Sequence, residues 1–136
     1  MKKYSYLILT FLLVSVFSFS THAQADSKNV KWTELGDFHT VFAATYYPAQ
    51  GDNFEPIHSK AEELNKTAMA LTNTVPKKFN TPDMTAAISE LQQQTGKILA
   101  SVKENAKDDV LKPELEDLSK DLDKVKSLCS KKMKEK

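Results

Sequence analysis

His39 is the residue in this chain best suited to chemistry, and it sits inside the run Trp32-Thr33-Glu34-Leu35-Gly36-Asp37-Phe38-His39-Thr40-Val41-Phe42-Ala43-Ala44-Thr45-Tyr46. An imidazole can ligate a transition metal or relay a proton. Apolar side chains at 32, 35, 42 and 46 bracket it at helical spacing, so the pattern puts His39 on an inward stripe among aromatic neighbours. Far along the chain, Ser119 and Asp123 stand four residues apart and share one helix face. His39 and Asp123 make two metal ligands, short of the four that close a structural zinc site. His58 falls one residue off its own apolar stripe and reads as exposed, and His22 lies in the N-terminal leader.

Other chemistries lack their residues. There is no Gly-x-Ser-x-Gly, and the only cysteine, Cys129, has no histidine placed by sequence to activate it. Beyond the leader the only glycines are Gly36, Gly51 and Gly96, so no glycine-rich loop exists to cradle phosphate. Cys-x-x-Cys-His is absent, which excludes covalent haem attachment. A non-covalent b-type haem stays open, with His39 as one axial ligand. None of Met69, Met84 and Met133 is clearly placed to be the second.

The elements that must position these residues follow from composition. Met1-Lys2-Lys3, an apolar run over residues 4–19 and Ala23-Gln24-Ala25 describe a secretory signal peptide cleaved after Ala25. Its apolar run is too short and serine-interrupted to span a bilayer, so the mature product is expected to be soluble and periplasmic or secreted. Losing Lys2 and Lys3 leaves 17 of the 19 lysines against 18 carboxylates. That balance argues against nucleic acid as a partner. Arginine is absent, so bidentate clamping of phosphate is not expected either. With one cysteine there is no internal disulfide. The helical register of Cys129 favours a buried thiol, and a monomer or weak dimer.

Residues 26–136 read as one all-α domain. The first helix is expected to start near Ser27 or Asn29 and to stop at Tyr46 or Tyr47, ahead of Pro48. The second carries Ile57, Ala61, Leu64, Ala68, Leu71 and Val75, and Pro76 ends it. Thr81-Pro82-Asp83 is a strong start signal for a third, with Met84, Ile88, Leu91, Thr95, Ile98 and Val102 in phase. The fourth, entered near Asp109 or Lys112, shows Leu111, Leu115, Leu118, Leu122, Val125 and Cys129. Residues 131–136 form a basic tail expected to fray. Four such stripes with short connections predict an up-down-up-down antiparallel four-helix bundle. In it, His39 would lie level with residues 119–123.

Trp32-x2-Leu35-x2-Phe38-His39, Tyr47-Pro48-Ala49, Glu55-Pro56-Ile57 and the stretch from Leu118 to Cys129 together resemble a family of small exported four-helix-bundle proteins. That family's pattern has Phe-His and then His-Pro on the first helix, and Leu-His-x3-His before a terminal cysteine on the last. The resemblance implies a transition-metal site within the bundle. Only His39 carries over; Tyr47 stands for the second histidine, and Ser119 and Asp123 for the final pair. Two outcomes stay open: a weak site on His39 and Asp123 with water completing the shell, or a vacated site in which His39 is structural.

The expected function is therefore that of an exported, soluble, non-enzymatic bundle binding or sensing a divalent transition metal (zinc, nickel or copper). Two alternatives stand beside it. One is an envelope or stress interaction module with no ligand; the other is a b-type haem binder.

Overall fold

The computed structural model describes residues 31–135. The expected leader and the cap candidates Ser27 and Asn29 lie outside that range. Among the described residues all regular structure is helical: α1 (Thr33–Gln50), α2 (Glu55–Ala70), a 3-10 turn (Lys77–Phe79), α3 (Pro82–Lys103) and α4 (Asp108–Lys134). None of these helices is long and apolar enough to cross a membrane.

Local chemistry sets several boundaries. At α3, Thr81 Oγ1 accepts from the Met84 amide at 3.2 Å, Pro82 opens the first turn and Asp83 supplies its acid. That is the start the sequence predicts. Ahead of α2, Asn53 Oδ1 accepts from the Glu55 amide at 3.2 Å. The turn into α2 takes its left-handed residue at Asp52 (φ 62°), and the one after α3 takes it at Asn105 (φ 53°). Short polar side chains tolerate that conformation best after glycine.

Four boundaries depart from expectation. Lys31 and Trp32 are not helical, so α1 begins at Thr33. It then continues through Pro48 to Gln50 instead of stopping at Tyr47. Proline forfeits one helix hydrogen bond, but the extra turn buries Ala49 completely. α2 ends at Ala70, short of Val75. Beyond it comes Leu71-Thr72-Asn73-Thr74, where short polar side chains compete for the backbone. Thr74 Oγ1 donates to the Ala70 carbonyl at 3.0 Å. α4 opens at Asp108, five residues ahead of Pro113, and stays helical through Lys134.

The apolar stripes of α2, α3 and α4 are the ones the spacing predicts. Ile57, Leu64 and Leu71, Leu91 and Ile98, and Leu111, Leu115, Leu118 and Val125 are all fully buried in one core. On α1 the buried side chains are Phe38, Val41, Phe42, Thr45 and Ala49. The helix is turned so that Phe38, not His39, points into the core; His39 is half-buried. Phe42 stacks between Phe38 (centroids 6.4 Å apart) and Tyr46 (4.9 Å), a ladder one turn per rung.

α1 packs on α2, α2 on α3 and α3 on α4, while α1 meets α4 much more sparingly. Polar contacts fasten the neighbouring pairs. Gln92 Nε2 donates to the Ala68 carbonyl (3.0 Å) and to Thr72 Oγ1 (2.7 Å), closing the end of α2 from α3. Thr95 Oγ1 donates to Asn65 Oδ1 at 3.1 Å, and Lys103 pairs with Glu62 at 3.6 Å. Between α3 and α4, Glu114 is only 5% exposed. Its Oε1 accepts from Ser101 Oγ at 3.0 Å and faces Lys97 Nζ at 3.6 Å, while its buried Oε2 has no hydrogen-bond partner. At the far end of α1, Asp52 pairs with Lys112 of α4 at 2.9 Å.

Candidate functional site

The sparse α1–α4 seam leaves an open cleft of about 280 Å³. Trp32, Leu35, Gly36 and His39 line it from the start of α1, and Lys126, Cys129 and Met133 from the last turns of α4. Phe79 enters from the 3-10 turn. Each side chain is held by its own element. Trp32 is 7% exposed, stacks on Phe79 (centroids 6.4 Å, planes 24° apart) and donates from Nε1 to Thr74 Oγ1 at 3.1 Å. The tryptophan is thus oriented by a stack and a hydrogen bond where it lines the cleft. Cys129 and Met133 are one helical turn apart and share a face of α4.

His39 therefore meets residues other than those expected. The cleft sets it beside Lys126 and Cys129, about one turn past Asp123. Asp123 is exposed and not part of the cleft, and Ser119 is half-buried elsewhere on α4. Among the described residues no group of three or more His, Cys, Asp or Glu side chains could hold a metal ion. His58 is exposed, as its register suggests, with Nε2 4.0 Å from Asp108 Oδ1. Of the methionines, Met84 is buried, Met69 is exposed and Met133 comes into the cleft.

Sequence reasoning missed Lys126, Phe79 and Met133 as cleft residues. The one readable signal was the four-residue spacing of Cys129 and Met133; what brings them to His39 is the register of α1 against α4.

Two features of the wall have measurable consequences. A Cβ added at Gly36 would meet no atom within 4 Å. Gly36→Ala should therefore stabilise the fold by about 0.5–1 kcal/mol, the usual helix-interior gain over glycine. A chemical-denaturation midpoint that falls instead would mean that α1 needs glycine there. Burial pushes the Cys129 thiol above its ordinary range. The reactive thiolate then forms only at higher pH than in a free cysteine, so labelling at pH 7.5 should run slower than for glutathione and close the gap as pH rises. Labelling as fast as glutathione would place the sulfur in open water.

No family model, curated protein or solved structure matches this chain.

Proposed function

We propose that this chain is an exported, non-catalytic binding protein whose site is the cleft between the start of α1 and the end of α4. The observation that carries the reading is the make-up of that cleft. Five of its side chains (Trp32, Leu35, Phe79, Cys129 and Met133) are apolar, and two polar groups, His39 and Lys126, stand among them. Small-molecule sites have this balance of apolar wall and few polar groups. At about 280 Å³, the cleft suits a molecule with one ring or a short chain, since ligand pockets run from about 300 to 1,000 Å³.

The up-down-up-down antiparallel bundle is the architecture we infer for it. Partners support that order: Asn65 with Thr95 and Glu62 with Lys103 on α2 and α3, Ser101 with Glu114 and Glu90 with Lys124 on α3 and α4. In each pair of helices the numbers rise on one as they fall on the other. Export rests on the leader-like residues 1–25.

Trp32 is the only tryptophan of the chain, so tryptophan emission comes from a residue that lines the cleft. Titrating the purified protein with 1-octanol and with benzyl alcohol should give a saturable change in Trp32 emission that Gly36→Leu, which fills the wall, abolishes. A strictly linear response in both proteins would reject the cleft as a site.

A metal remains the second reading, favoured by one observation: His39, Cys129 and Met133 line the same cleft. Imidazole, thiol and thioether together select copper(I) over zinc or nickel. Calorimetric titration with the three ions decides it. Binding that survives both His39→Ala and Cys129→Ala would count against this site.

A further inference from the structure

One of the cleft's two polar groups, Lys126, is a cation. It is exposed at the cleft's edge, and no carboxylate among the described residues lies within ion-pair distance of it. Four other lysines of α4 are engaged (Lys112 with Asp52, Lys120 with Asp117, Lys124 with Glu90 and Lys132 with Glu135), and of its unpaired lysines, Lys126, Lys131 and Lys134, only Lys126 lines the cleft. His39, across the cleft, likewise makes no side-chain hydrogen bond or ion pair to a described residue. None of the lining residues is acidic, although carboxylates equal lysines almost one for one in the chain as a whole. An apolar wall ending in an unpaired ammonium and an imidazole is complementary to an amphipathic anion. Phosphate would call for arginine forks or backbone amides grouped around a tetrahedral anion. A single ammonium with one imidazole donor matches the two oxygens of a carboxylate.

We infer that the cleft takes a small monocarboxylate, a medium-chain fatty acid or an aryl carboxylate. The hydrocarbon lies against Trp32, Phe79 and Met133, and the carboxylate is held by Lys126 with His39 as second donor. This rests on the cleft reading above. It adds what that reading leaves open, the charge and head group of the ligand.

Three probes of equal chain length separate the two claims: octanoate, 1-octanol and octylamine, each titrated against Trp32 emission in low salt. Octanoate should bind about tenfold more tightly than octanol, and octylamine more weakly than either. Lys126→Met should remove the octanoate advantage and leave octanol unchanged; Lys126 is exposed, so the fold is not at stake. Raising salt should weaken octanoate alone. Octanoate and octanol binding equally, with Lys126→Met without effect, would overturn the carboxylate and leave the cleft standing. A preference for octylamine would overturn it by sign. No saturable response to any of the three would remove the cleft reading and the carboxylate together.

Discussion

Replacing Phe38 by alanine is expected to cost about 3–5 kcal/mol of folding stability, the range for emptying a buried aromatic site. The same change at its neighbour His39 should cost less than about 0.5 kcal/mol. Phe38 has no exposed surface and stacks on Phe42, whereas His39 is half-buried on the cleft wall and makes no hydrogen bond to a described residue. The contrast between adjacent positions tests the rotation of α1 directly. Urea denaturation of the two variants measures it, with unchanged slopes as the check that only stability has moved. Equal losses, or the larger loss at His39, would return the histidine to the core and turn the cleft wall away from it.

Glu114 gives the opposite sign. Its carboxylate is nearly sealed between α3 and α4, with one oxygen bonded to Ser101 and the other unpartnered. Ion pairs so placed often stabilise less than the desolvation they require. Here the only cation, Lys97, is 60% exposed and 3.6 Å away. Glu114→Met fills the same volume with groups that need no partner. The groups it deserts, Ser101 and Lys97, both reach water. The expected result is a gain of about 1–2 kcal/mol, toward the lower end of what such replacements give. The chain would also melt higher by several degrees. A loss of more than about 1 kcal/mol would show that the carboxylate, through Ser101 and Lys97, holds the α3–α4 register.

What could be read in advance divides along physical lines. The start of α3 was legible because a threonine cap, a proline and an acid act within four residues of one another. The stripes of α2, α3 and α4 were legible because each offers a single apolar face. α1 offers two. Positions 32, 35, 39, 42 and 46 make one helical face, and 38, 41, 42, 45 and 49 make another, overlapping at Phe42. Choosing between them takes the partner helices, which no local pattern encodes. Pro48 misled for a related reason: its local cost is real, yet α1 runs on through it to Gln50 and Ala49 is buried there, a tertiary contact that no local pattern encodes. The cleft was the least legible part. Bringing His39 to Cys129 instead of Asp123 depends on where α1 and α4 begin and end and on the Asp52–Lys112 end of the pair. A shift of one helical turn there exchanges one set of neighbours for another.

The thin α1–α4 seam also bears on how the molecule assembles. Its other helix pairs join elements consecutive in the chain, so each closes over a short connection. α1 and α4 are separated by two whole helices, and their union carries the largest loop-closure cost with the fewest contacts to offset it. This seam is then expected to form last during folding and to part first in local opening, which native-state hydrogen exchange of the α1 amides would check. Anything lodged between Trp32 and Met133 would brace the weakest joint of the fold, and its presence would register as slower unfolding before it registered as a change in shape.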